Sequence, residues 1–118
     1  MKFFSIKINY ELGRKTWFGS GGHCSFFLKA DNLNQLKTAL KLGKKFLPIF
    51  ILGGGSNILV RDGGFKGLVI KLGTNFTKIN FDDKKNILTI GAAAKDLDVS
   101  KFCFENRISG FEFLSGIP

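Results

Sequence analysis

The alternation of apolar and polar residues predicts a chain of short strands and two helices. A strand is expected at Ser25–Lys29, and Pro48 begins another, "PIFIL". The pattern before Thr16 is weak, whereas "GFEFL" (110–114) looks extended. "DDKKN" (82–86) has the composition of a hairpin turn. Further strands are predicted at "NILVRD" (57–62), "GLVIKL" (67–72), "FTKINF" (76–81) and "NILTIGA" (86–92).

The segment "DNLNQLKTALKLGKKF" (31–46) has the periodicity of an amphipathic helix. Asp31 or Asn32 can cap its N-terminus, and Lys44 and Lys45 favour its C-terminal end. The helix is therefore expected to bury one apolar stripe, made by Leu33, Leu36, Ala39 and Leu40.

A second helix is predicted to begin near Asp96 or Asp98, either of which can cap it, and to reach about Asn106. Its inward-facing side chains are expected to be Leu97, Val99 and Phe102. Together with the strands and tight turns, the two helices predict an α+β fold.

The composition indicates a globular chain of one domain at most, with 118 residues of which 44% are hydrophobic. The net charge of +9 suggests an acidic partner such as nucleic acid, a membrane surface or a phosphorylated ligand. However, lysine outnumbers arginine fifteen to three, and its AT-rich codons allow genome bias to explain much of this charge. The N-terminus turns polar before a signal peptide could develop, so a cytoplasmic location is expected.

The cysteines, the histidine and the aromatic residues Trp17 and Phe18 are expected to have ordinary structural roles. Cys24 and Cys103 form no CxxC pair and are expected to be small buried side chains, so no metal site is predicted. His23 is the only histidine, and a catalytic or metal role for it is disfavoured. Trp17 and Phe18 are expected to pack in the core or between subdomains rather than to form a stacking platform.

The glycine loop "GGGSN" (53–57) is the stretch that most needs an explanation. Glycines allow close approach to the backbone, and successive N–H groups can form an anion-binding concavity. No P-loop lysine follows, and no helix of the GxGxxG type is predicted next, so a strand–loop–strand phosphate or diphosphate site is expected. A tight turn without a ligand is the alternative.

Four stretches resemble one enzyme family in both order and spacing. They are "KTWFGSGG" (15–22), "LGGGSNILVRDGGFKGLVIKL" (52–72), "IGAAAKDLDVSKFCFENRISG" (90–110) and "GFEFLSGIP" (110–118). The sequence is thereby similar to the UDP-N-acetylenolpyruvoylglucosamine reductases, or MurB family, also called UDP-N-acetylmuramate dehydrogenases. The resemblance implies an incomplete FAD-binding domain of the PCMH type (vanillyl-alcohol-oxidase-like), covering residues 15–118 after an N-terminal extension, residues 1–14.

The resemblance also implies which residues bind FAD. By position, the glycine loop would wrap the FAD diphosphate, and a second segment would lie against the flavin. The implied cofactor-binding residues are Gly53, Gly54, Gly55, Ser56, Asn57 and Ile58 in the loop, and Ser115, Gly116 and Ile117 in the second segment.

In that family NADPH reduces the flavin, which then reduces the enolpyruvyl group of a UDP-sugar in peptidoglycan precursor synthesis. The catalytic arginine, serine and glutamate implied by the resemblance fall in segments beyond Pro118, so no catalytic residue is assigned and the chain alone is expected to be inactive. The resemblance leaves room for a separate chain that supplies the C-terminal half. Alternatives are another FAD-dependent oxidoreductase of this fold and, less favoured, a basic nucleic-acid-binding module.

Overall fold

A computed structural model of the chain describes residues 5–117. They divide into two compact units, the first extending to Gly73 and the second starting at Thr74. Each unit is described by itself.

The first unit is a four-stranded sheet with one helix. Its strands are β1 (Ile6–Tyr10), β2 (Cys24–Ala30), β3 (Ile49–Leu52) and β4 (Phe65–Leu72), and helix α1 (Leu33–Phe46) connects β2 to β3. The strand order is β1-β2-β4-β3, so β4 lies between the two strands that α1 connects. β4 is parallel to both of its neighbours, and β1 is antiparallel to β2.

The two faces of this sheet carry separate apolar cores because alternate residues of a strand point to opposite faces. On one face, Leu28 and Ile70 are fully buried against α1, whose Ala39 is also buried. On the other face, Phe27 and Val69 pack with residues from irregular segments, among them Leu12 and Val60. Burying a side chain of this size stabilises the fold by about 1.5–3 kcal/mol. The irregular segments are thus fixed to the sheet by their own buried side chains.

The second unit contains a hairpin and a short helix. Strands β5 (Ile79–Asp82) and β6 (Ile87–Ile90) are antiparallel, and α2 (Asp96–Glu105) follows. In the hairpin turn, the Lys85 N–H donates to Asp82 Oδ1 at 3.1 Å, and Asn86 takes a left-handed conformation with φ 53°. This confirms the turn predicted at residues 82–86. Short 3₁₀ helices at Gly13–Lys15, Thr74–Phe76 and Glu112–Gly116 complete the described residues.

Two sequence expectations about elements are wrong, and one strand was not predicted. Residues 57–62 form no strand but an irregular segment that ends in a turn. Residues 110–114 are not extended, because a 3₁₀ helix begins at Glu112. The weak pattern near the N-terminus contains β1, an edge strand whose residues are mostly exposed.

The two helices differ in how they begin. At α1, Asn32 is the cap, and its side-chain Oδ1 accepts a hydrogen bond from the Gln35 N–H at 2.9 Å, as expected. At α2, Lys95 is the cap and makes no side-chain capping bond. Asp96 and Asp98 instead lie in the first turn, where their negative charges interact favourably with the positive end of the helix dipole.

The inward face of α2 also differs in part from the expectation. Val99 is buried as expected, Phe102 is half-buried, and Leu97 is exposed. Neither helix in the described part of the chain has the length and apolar character needed to cross a lipid bilayer.

Candidate functional site

The glycine loop, residues 53–57, leaves the sheet at the C-terminal end of β3. Leu52, the last residue of that strand, is buried in the core that also holds Val60. The loop therefore lies between anchored apolar side chains, and its residues Gly53, Gly54 and Asn57 are exposed. In sheets with parallel strands, the carboxyl ends of the strands are the usual location of ligand sites.

The first two glycines of the loop are open to solvent. Gly53 and Gly54 are both exposed, and a Cβ atom on either one would have no heavy atom within 4 Å. Internal packing therefore does not require glycine at these two positions. The space that a side chain would fill above this backbone is available to a ligand.

The third glycine is the buried base of the loop. Gly55 has φ +78°, a left-handed conformation that favours glycine. Its carbonyl oxygen accepts a hydrogen bond from the Trp17 N–H at 3.0 Å. Beneath it lies Thr16, which is 7% exposed and whose hydroxyl donates to the Gly13 carbonyl at 2.8 Å. The segment around residues 13–17 is thus a rigid support for the loop.

The chain after the loop is held by a second glycine segment. The Gly22 N–H donates to the Arg61 carbonyl oxygen at 3.0 Å, and the Gly64 N–H donates to the same oxygen at 2.8 Å. The Val60 carbonyl lies so close to Gly21 that a Cβ on Gly21 would overlap it. These backbone contacts hold residues 60 and 61 beside the second glycine segment, and residues 58–60 form no strand.

The charge around the loop suits an anion. The sequence of residues 53–58 contains no acidic side chain, and exposed Arg14, Lys15 and Arg61 belong to the segments that support it. Arg14 makes only a distant ion pair with Glu11, at 3.9 Å and with both side chains more than half exposed. Such pairs contribute little, so the guanidinium remains available to a second anion.

The second segment expected to contact the cofactor lies in the other compact unit. Ser115 and Gly116 end the 3₁₀ helix, and Ile117 follows it; all three are exposed. The Ser115 hydroxyl donates to the Glu112 carbonyl at 2.7 Å. Ser115 also lines a largely apolar groove of about 560 Å³, which lies between α2 and this 3₁₀ helix.

Trp17 and Phe18 do not lie in the core, which is one of the two locations that the sequence suggested for them. Their exposed fractions are 74% and 61%, so neither ring lies in the core of the first unit. His23, which has no carboxylate nearby in sequence, is brought to 3.9 Å from Glu11, with both side chains about half exposed. Within residues 5–117 no group of three His, Cys, Asp or Glu side chains is placed to hold a metal ion.

The two cysteines are buried thiols, as the sequence predicted. Burial raises the pKa of the Cys24 thiol, although hydrogen bonds with the backbone of Cys24 and Tyr10 oppose the shift. Burial also raises the pKa of Cys103, and the negative charge of Glu112 adds to that effect. Both thiols therefore stay protonated to higher pH in the folded chain than in the unfolded chain.

We expect both thiols of the native chain to react slowly with an alkylating reagent, because both side chains are buried from the reagent and their raised pKa disfavours the reactive thiolate. Native alkylation at neutral pH should be at least about tenfold slower than in denaturant. The free energy of unfolding should be unaffected well below pH 9.0 and fall as the pH rises past it, because the unfolded thiols ionise first. Equal rates in the native and denatured chains would contradict this expectation.

Comparison with known proteins gives three findings: a family match, similar protein sequences and a similar solved structure. A family model described as FAD binding domain matches residues 24–118. The UDP-N-acetylenolpyruvoylglucosamine reductase of Rickettsia prowazekii (strain Madrid E) is 48% identical over 112 residues, or 95% of this chain and 37% of that protein. The Rickettsia canadensis (strain McKiel) protein of the same name is 46% identical over the same shares.

The third finding is a likeness to a solved structure. The UDP-N-acetylenolpyruvylglucosamine reductase (MurB) from Thermus caldophilus matches with a TM-score of 0.71 and 28% identity. That match covers 98% of this chain and 38% of the Thermus chain. The chain thus spans little more than a third of the length of the relatives it matches.

Proposed function

This chain belongs to the FAD-binding domain family, and on that premise we propose that its glycine loop holds the diphosphate of FAD. The observation that carries the proposal is the open backbone at Gly53 and Gly54, where nothing in the fold itself requires glycine. A diphosphate needs several N–H donors at close range, and any side chain there would keep it away.

The residues around this backbone fit the same ligand. Gly55 turns the chain in a left-handed conformation, which lets successive N–H groups converge. Ser56 adds a hydroxyl and the exposed Asn57 adds an amide, and both groups can donate to phosphate oxygens. Ile58 is half-buried against the core, so its role is to anchor the end of the loop and to provide an apolar wall.

We propose that Ser115, Gly116 and Ile117 contact the flavin. Their exposure is consistent with a ligand contact, and the Ser115 hydroxyl oxygen can still accept a hydrogen bond while its proton is held by Glu112. The neighbouring groove has a mainly apolar surface, to which Leu97, Phe104 and Phe111 contribute, and such a surface suits a flat ring system.

For the whole protein, the names of the relatives point to reduction of UDP-N-acetylenolpyruvoylglucosamine. From the family resemblance we further propose that this reaction serves peptidoglycan precursor synthesis in the cytoplasm and that NADPH is the electron source. Bound FAD would supply the hydride transfer. The residues of this chain would bind and orient that cofactor. The acid and anion-stabilising groups are expected in the part of the relatives that this chain does not match, on the same or a separate polypeptide.

The test is flavin retention by the purified 118-residue chain. We expect FAD to elute with the protein on gel filtration at low salt, and we expect no NADPH-dependent reduction of the enolpyruvyl sugar by this chain alone. FMN, which lacks the diphosphate, is the matched ligand control and should bind more weakly. Failure to retain FAD would overturn the proposed role of the loop, and measurable turnover would overturn the assignment of a purely cofactor-binding role.

A further inference from the structure

We propose that Trp17 stacks on a planar ring of the dinucleotide whose diphosphate the glycine loop holds. The inference rests on the proposed function, because it takes FAD as the ligand of the loop. It adds a residue from another part of the first unit, to which neither the family resemblance nor the comparisons give a role.

The position of Trp17 carries the argument. Its N–H donates to the Gly55 carbonyl at 3.0 Å, so its Cα lies within about 4.5 Å of that oxygen. The preceding residue, Thr16, is buried beneath Gly55 and fixes the backbone from which the indole extends. Trp17 is therefore joined to the base of the loop by a backbone hydrogen bond next to a buried residue.

The exposure of Trp17 is the second observation. The side chain is 74% exposed, next to Phe18 at 61%, although tryptophan has the largest apolar surface of any side chain. Two adjacent exposed aromatic rings beside a surface of open glycine backbone are typical of a binding surface.

The chemistry of the ligand matches this surface. Both ends of FAD are flat heteroaromatic rings, adenine and isoalloxazine, and each is attached through a sugar or ribityl chain to the diphosphate. Aromatic side chains stack on such rings without specific hydrogen bonds. A loop that holds the diphosphate and a ring that holds one heteroaromatic end would together fix both the position and the direction of the cofactor.

The chain offers a direct readout because Trp17 is its only tryptophan. Tryptophan emission should fall by at least about half when FAD is titrated into the chain, because a stacked ring quenches the indole. ADP and FMN, each carrying one of the two rings, identify the stacked end. Quenching by ADP is the sharper result, since adenine cannot accept energy transfer from tryptophan and must act by contact.

Substitution gives an independent measure. Trp17→Ala should weaken FAD binding about 5- to 100-fold, the range that loss of one stacking contact produces. Trp17→Phe keeps a ring and should stay within about threefold of the original affinity. Phe46→Ala is the matched control, because Phe46 is 78% exposed and lies at the end of α1, which packs on the opposite face of the sheet.

The outcomes separate the inference from the proposed function. If the chain retains FAD but Trp17→Ala binds it as tightly as the original chain, the stacking role is wrong and the loop proposal stands. If the original chain does not retain FAD, both fall. Equal losses in Trp17→Ala and Phe46→Ala would also overturn the inference, because the effect would then not depend on the position beside the loop.

Discussion

Gly53→Asp is expected to lower the FAD affinity of the chain by about 100-fold or more, because a carboxylate would face the diphosphate at close range. The substitution should not affect folding, since Gly53 is exposed and a Cβ on it meets no atom within 4 Å. Equilibrium dialysis with FAD measures the first effect, and thermal unfolding without FAD measures the second.

Gly63→Asp is the matched control for this substitution. Gly63 is also exposed, also has open space at its Cβ position and belongs to the same compact unit, but it lies outside the loop. The variant adds the same charge and should keep FAD affinity within a few-fold. If both aspartate variants lost affinity equally, net charge rather than the loop would explain the binding, and the diphosphate assignment would fail.

Gly21→Ala is expected to reduce the free energy of unfolding by about 3–5 kcal/mol. Gly21 has φ +110°, which L side chains rarely adopt, and its Cβ would overlap the carbonyl of Val60. Relief of that overlap must move the segment that leaves the glycine loop, so FAD binding should fall together with stability. Urea unfolding of the chain without FAD measures the loss, which is a large part of the stability of a small domain.

Gly19→Ala is the control that separates the cost of the steric overlap at Gly21 from the cost of a positive φ. Gly19 lies in the same segment and also has positive φ, +63°, but a Cβ on it has no atom within 4 Å. It should cost only about 1–2 kcal/mol. Equal destabilisation by the two variants would show that the contact between Gly21 and Val60 is not what holds the exit of the loop.

The family resemblance and the fold class expected from the sequence are confirmed. The chain is α+β, it matches the FAD-binding domain family, and its relatives carry the name of the reductases that its motifs resemble. The elements with strong local signals were predictable. Helix α1 has both an apolar stripe and a capping Asn32, and the hairpin between β5 and β6 has a turn with polar side chains that bond locally.

The failures occurred where contacts between distant segments decide the local structure. Residues 58–60 are as apolar as a strand, but they pair with no strand: the Val60 carbonyl lies close to Gly21, and the next residue, Arg61, accepts a hydrogen bond from the Gly22 N–H. β1 was missed because it is a short edge strand whose two isoleucines, Ile6 and Ile8, remain exposed, so its register depends on pairing with β2.

At residues 110–114 the alternation of phenylalanines suggested a strand, but local polar bonds favour a turn. Glu112 accepts a hydrogen bond from the Gly110 N–H through its side chain at 2.9 Å, and its carbonyl accepts one from the Ser115 hydroxyl. They accompany the backbone bond of the 3₁₀ turn, in which the Leu114 N–H donates to the Phe111 carbonyl at 3.2 Å. The sequence alone does not show whether these hydrogen bonds of Glu112 and Ser115 or the apolar–polar alternation decides the local structure.

The loop of the candidate site could be predicted from the sequence, but the segments that support the loop could not. Three consecutive glycines identify the loop in the sequence, whereas the pairing of Trp17 with Gly55 joins segments 38 positions apart, which no local pattern shows. The exposure of Trp17 excludes the core, one of the two locations that the sequence analysis expected for this ring. The assignment of individual FAD contacts remains a prediction until the binding variants are measured.

The strand order has a consequence for synthesis on the ribosome. β4 is the last strand of its sheet to be made, yet it is the partner of both β2 and β3 and carries the fully buried Val69 and Ile70. A nascent chain that has emerged only as far as the glycine loop contains β2 and β3 but not β4, the strand that pairs with both of them. Cotranslational folding of this sheet is therefore expected to wait for residue 72 to leave the exit tunnel, and until then its apolar strands lack the partner that buries them.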